Sequence, residues 1–105
     1  MKTPLYTVTI DFEDHSRAIF QTQARSERAA LDRALLESEA MAEYDRVLTE
    51  SMIDNNRLSL THLAMGYRGT WLWHPVRGAQ NGWQSILGGI IVQTSQDGAV
   101  RKPHA

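Results

Sequence analysis

From Ser26 to Asn56, thirty-one residues pass without a Gly or a Pro, and no other feature of the chain restricts its fold so strongly. Within that stretch the apolar positions recur at helical spacing. At 100° per residue, Ala30, Ala34, Met41, Tyr44, Leu48 and Met52 share one sector, with Leu31 at its edge. Asp32, Glu39, Glu43, Glu50 and Asp54 gather on the opposite side at spacings of 7, 4, 7 and 4. The pattern predicts one long amphipathic helix with a buried face and a continuous acidic stripe. Ser26 is placed to cap it, Glu27 favours the positive end of the helix dipole, and Asp54-Asn55-Asn56 is a suitable stop because Asn tolerates the left-handed conformation. Glu37 and Asp45 intrude near the apolar sector and Leu36 on the acidic one, so a kink or two consecutive helices around Ser38 to Ala42 is the alternative.

The flanking segments read as strands. Leu5 to Phe12 alternates, with Tyr6, Val8, Ile10 and Phe12 on one face and Thr7, Thr9 and Asp11 on the other. After the polar turn Glu13-Asp14-His15-Ser16, Arg17 to Ala24 resumes an extended pattern, which makes a hairpin whose apolar face the helix would cover. Beyond the helix, Arg57 to Leu63 is read as a strand, with a short helix over Leu60 to Met65 as its competitor, and Thr70 to His74 as another, closed by Pro75. Arg77 to Gly82 is a loop by composition. Ile86 to Gln93 is a core strand in which Gly88-Gly89 marks a bulge or a close backbone approach, and Arg101 to Ala105 a frayed tail. The expected architecture is a single α+β domain over residues 1–105. It has an N-terminal β-hairpin and one long helix on an antiparallel sheet of four to five strands, a ββαβββ-like order.

The absence of Cys removes disulfides, thiolate metal sites and cysteine nucleophiles. The start, Met1-Lys2-Thr3-Pro4, lacks a secretory apolar core, and no apolar run approaches ~20 residues, so a cytoplasmic protein with no membrane partner is expected. A net charge of −1 conceals a division: residues 1–56 carry six Lys/Arg against eleven Asp/Glu, whereas 57–105 carry five against one. Such asymmetry bears on partners and solubility.

Catalytic patterns are missing. His15, His62, His74 and His104 show no i, i+4 pair and no H-E-x-x-H, so neither a metal nor a cofactor is expected. A triad of Ser85, His74 and Asp54 has no spacing to recommend it without a G-x-S-x-G elbow, and Gly88-Gly89 belongs to no phosphate loop. Glu39 and Glu43 read as a solvated face in preference to a catalytic pair. Two surfaces suit a partner instead. One is the acidic stripe of Asp32, Glu39, Glu43, Glu50 and Asp54, suited to an Arg-rich groove. The other is the segment holding Tyr67, Arg68, Trp71, Trp73, Arg77 and Trp83, a mixture favoured at protein interfaces and able to stack on bases. The bland alternative places Trp71 and Trp73 in the core.

The opening pattern Tyr6-x-Val8-x-Ile10-x-Phe12, polar turn, Phe20, Ala24-x-Ser26-Glu27-x-Ala29-x-Leu31 resembles a layout common among small phage and prophage proteins, including several anti-CRISPR proteins. It also looks like the start of HicB-type antitoxins, without their Gly-Cys-bearing third strand. The likeness covers about the first third of the chain. It implies a non-enzymatic protein, acting in the host cytoplasm, that inhibits by occupying a partner's surface, such as a subunit of a CRISPR effector complex. Nucleic-acid binding by the basic, Trp-bearing half is the alternative, and a homodimer a further one.

Overall fold

The alternating apolar residues of the first segment place it at the heart of a sheet. The computed structural model describes residues 3–62, 69–76, 83 and 85–95. Its elements are β1 (Leu5–Phe12), β2 (Arg17–Gln23), α1 (Glu27–Glu37), a 3-10 turn (Glu39–Met41), α2 (Arg46–Asp54), β3 (Leu58–His62), β4 (Thr70–Pro75) and β5 (Ile86–Ser95). The five strands form one sheet in the order β2-β1-β5-β4-β3, with every neighbour antiparallel. The strand readings hold to within a residue or two. The loop expected at 77–82 and the tail at 101–105 lie outside the described residues.

The expected single helix is two. Because β2 and β3 are the opposite edges of the sheet, the connection between them must cross its full width, about 19 Å at ~4.8 Å per strand gap. A straight helix over 27–54 would be about 42 Å long and would carry much of its apolar face past the sheet. Ser38, extended at ψ 135°, ends α1, and its N–H still donates to the Ala34 carbonyl. Asp45 restarts the helix as the α2 N-cap, accepting the Val47 N–H at 2.9 Å. Arg46 reaches back to the Leu36 carbonyl at 3.0 Å and satisfies an orphan acceptor at the end of α1. The residues that broke the helical phase, Leu36 and Asp45, are therefore the ones that the break uses.

The outer caps follow the sequence. The Ser26 hydroxyl accepts the Ala29 N–H. At the far end Asn56 takes φ 55°, while Asn56 N–H donates to Ile53 and Arg57 N–H to Met52, the paired bonds of a Schellman stop.

The helical layer covers one face only. Tyr6, Val8 and Ile10 of β1, Ala30, Leu31, Ala34 and Leu35 of α1, Met41, Met52 and Leu58 meet Trp73, Trp83, Ile86 and Ile91 in a single core. Among the described residues no helix lies on the opposite face. Across it runs a row of paired neighbours: Ile19 beside Thr9, Ile90 beside Leu72, and Leu72 beside Thr61.

At the sheet's centre the ladder between β1 and β5 is interrupted. Register shifts at Asp11/Phe12, opposite Gly88 and Ile86, and no paired residues join Thr9 and Ile10 to β5. Side chains supply the missing bonds. Thr9 Oγ1 accepts the Ile90 N–H at 2.8 Å, and the buried Trp73 indole N–H donates to the Thr9 carbonyl at 2.9 Å. Trp73 pairs with Gly89, where a Cβ would stand 1.9 Å from the Thr9 carbonyl oxygen. Gly88 holds φ 133°, a conformation open to glycine. Both the bulge and the close approach expected at Gly88-Gly89 are present.

Gly89→Ala should therefore destabilise the protein by about 3 kcal/mol or more. Trp73→Phe should cost about 2–3 kcal/mol by leaving the Thr9 carbonyl without its donor. Urea unfolding of the two variants measures both; a Gly89→Ala protein of unchanged midpoint would contradict the seam described above.

Candidate functional site

Three pieces of chain that are distant in sequence enclose a cleft of about 590 Å3: the end of β1 with the hairpin turn, the 3-10 turn with the residues after it, and Ser85 ahead of β5. The half-buried rings of Phe12 and Tyr44 stack in it, with centroids 6.3 Å apart and planes at 20°. The Tyr44 hydroxyl hydrogen-bonds Ser85 Oγ, and the Glu13 N–H donates to the Ser85 carbonyl at 2.8 Å, which ties the hairpin to β5. Around this aromatic floor stand Glu13, Asp14, Glu39 and Glu43, all exposed.

The rim is anionic and internally unneutralised. Among the described residues the ion pairs are Arg17 with Asp11, Arg28 with Asp32, Arg33 with Glu37 and Arg46 with Glu50, so no cation is spent on the four rim carboxylates. Asp14 accepts hydrogen bonds from the Ser16 hydroxyl and N–H, which hold its carboxyl below the ordinary range and keep it ionised. Four carboxylates around stacked aromatic faces favour a cationic group, which gains from both charge and ring quadrupole. The volume lies in the range of ordinary ligand clefts. No group of three or more His, Asp or Glu among the described residues is arranged to hold a metal ion.

The acidic stripe is thus divided. Glu39 and Glu43 join the cleft, whereas Glu50 pairs with Arg46 on α2, and Asp54 is exposed at that helix's end. Asp32 lies 3.4 Å from Arg28 Nε, without hydrogen-bond geometry to the buried Oδ1. Glu13, Asp14, Phe12, Tyr44 and Ser85 were not legible as a site, since only the tertiary fold brings them to Glu39. A signal did exist for the helical pair: Asp32, Glu37 and Glu50 each have an Arg four residues before them, whereas Glu39 and Glu43 follow Leu35 and Glu39.

Of the residues in the Trp segment, two of the three tryptophans are interior. Trp73 is 2% exposed, as in the core alternative, and Trp83 0%, so neither offers a surface to a partner. Trp71 is half-buried between Tyr6, at 6.2 Å, and the exposed ring of His62, stacked at 5.4 Å. Tyr67, Arg68 and Arg77 lie outside the described residues. His74 is exposed on the face away from the helices and bonds the Pro75 carbonyl; with Ser85 it assembles no triad.

Acrylamide should therefore quench Trp71 and spare Trp73 and Trp83, so that Trp71→Phe removes most of the quenchable emission. A second prediction concerns Asp32, whose carboxyl burial pushes above the ordinary value, Arg28 opposing and Asp54 adding to the shift. A carboxyl raised on folding favours the folded state below its unfolded pKa, and that contribution disappears as pH rises through the folded value. Asp32→Asn should accordingly flatten this part of the stability profile in the acid range, as read by urea midpoints from pH 3 to 7. No family model, no curated protein and no solved structure matches the chain.

Proposed function

We propose that this protein is a non-enzymatic binding module that receives a basic segment of a partner protein in the cleft between the hairpin turn and the helix break. The observation that carries this reading is the set of four rim carboxylates, Glu13, Asp14, Glu39 and Glu43, standing around stacked Phe12 and Tyr44 with no neutralising cation among the described residues. An Arg or Lys side chain supplies the missing charge and a face for the rings. Charge of this kind acts mainly on encounter rate and on the choice among partners.

The resemblance of the opening third to anti-CRISPR proteins gives the partner a class. Nucleoprotein defence complexes hold nucleic acid on Arg/Lys-lined surfaces, and a protein presenting clustered carboxylates can occupy such a surface in place of phosphate. Nucleic-acid binding by the second half is less well supported, because Trp73 and Trp83 are withdrawn into the core. No helix among the described residues is long and apolar enough to cross a membrane.

The test is capture of a stoichiometric partner from bacterial lysate, paired with titration of a fluorescent Arg-rich peptide. Glu39→Lys with Glu43→Lys should weaken peptide affinity by about tenfold or more, and wild-type affinity should fall with salt. Glu50→Lys, on α2 away from the cleft, should change little. Peptide binding indifferent to the double reversal would refute the cleft; strong salt-sensitive binding of single-stranded DNA would favour the alternative.

A further inference from the structure

We infer that β2 pairs with β2 of a second copy, joining two five-stranded sheets into one continuous ten-stranded sheet about a two-fold axis through Ile19. β2 is an edge of the sheet. Its hairpin with β1 closes through Phe12 N–H to Ser16, and at the far end Ala24 N–H donates to Pro4. Alternation along the antiparallel register then directs the backbone groups of Ala18, Phe20 and Thr22 toward β1, and those of Arg17, Ile19, Gln21 and Gln23 outward. The outward edge carries none of the usual guards: no Pro, no Lys and no bulge against β1 over seven residues. Its one charge, Arg17, is held by Asp11. Ile19, on the helix-free face, is 68% exposed.

The edge complements itself in one register. The outward Gln23 carbonyl already accepts from Arg33 at 2.9 Å, which confines new pairing to Arg17, Ile19 and Gln21. An axis at Ile19 sets Ile19 against Ile19 and Arg17 against Gln21 of the other copy, so every free N–H and C=O of these three residues finds a partner. An axis at Phe20 would instead match Arg17 with the engaged Gln23. In the first register the two exposed Ile19 side chains cover each other, and on the core side small Ala18 faces large Phe20.

Charge points the same way. An antiparallel pair lays the turn end of one β2, with Glu13 and Asp14, alongside the other copy's Ala24 and Arg25. Arg25 is exposed and has no ion-pair partner among the described residues. The inference shares Glu13 and Asp14 with the rim of the cleft, but it rests on the strand edge, whereas the cleft is tested at Glu39 and Glu43.

Sedimentation equilibrium over a concentration series tests it. The wild-type chain should pass from monomer to dimer. Ile19→Lys, which sets two like charges opposite one another, should raise the dimer dissociation constant by about tenfold or more with an unchanged circular dichroism spectrum. Gln21→Pro removes an outward backbone donor and, toward β1, only the side-chain bond from Gln21 Nε2 to the Thr7 hydroxyl, and should act similarly. Because the chain has no Cys, Ile19→Cys should be joined by a short bismaleimide, whereas Val47→Cys, equally exposed but on α2, should not. A wild-type monomer at every concentration, or a dimer indifferent to both edge variants, would overturn the inference. Glu39→Lys with Glu43→Lys should leave the dimer intact, which separates this result from failure of the cleft.

Discussion

The sheet is held at its middle by two hydrogen bonds that no strand ladder provides. Where the pairing of β1 with β5 is interrupted at Thr9 and Ile10, the Thr9 hydroxyl takes the Ile90 N–H and the Trp73 indole reaches the Thr9 carbonyl. Two glycines make room for this. A side chain at Gly89 would collide with the Thr9 carbonyl, and at Gly88 with the Trp73 carbonyl at 2.2 Å. The buried indole therefore fills the core and also satisfies a backbone group that would otherwise be desolvated at a cost of about 1–3 kcal/mol. β4, β5 and β1 depend on one another through that contact, and both halves of the sheet depend on those three strands.

The break in the helical layer connects architecture to surface. One straight helix would have aligned its carboxylates along a solvated flank, spread over several turns. The turn at Glu39–Met41 instead carries Glu39 and Glu43 to the hairpin, where Glu13 and Asp14 already stand and where Tyr44 stacks on Phe12. Charge that was periodic in sequence becomes clustered in space, next to aromatic faces. The Tyr44 to Ser85 hydrogen bond fixes the position of that cluster relative to β5.

Local patterns were legible wherever a period of two or a cap decides the backbone. β1, the Ser26 cap and the Asn56 stop needed no partner from elsewhere in the chain. The uninterrupted helix failed because its limit is not local: sheet width and the placement of β2 and β3 at opposite edges decide how far a rod can run. With no Gly or Pro in the stretch, the break is marked only by the phase slip at Leu36, Glu37 and Asp45 and by Ser38, signals that a single kinked helix would share. The same reasoning explains the tryptophans. Alternation places Trp71 and Trp73 on one face of β4, yet which face the helices cover is settled by the hairpin on the far side of the sheet. Of the candidate surfaces, the lack of an Arg four residues before Glu39 and Glu43 was visible in the chain; the company of Glu13 and Asp14 was not.

Strand order has a consequence for synthesis. Among the described strands β5 is the latest in chain order, yet it lies between β1 and β4. Until it emerges, the nascent polypeptide holds two separate hairpins, β1 with β2 and β3 with β4, bridged only by the helical layer. Their inner flanks stay open to chaperones or to mispairing until β5 pairs. Insertion of β5 between the two waiting halves then joins them, and its pairing with β1, the largest sequence separation in the sheet, is the slow event.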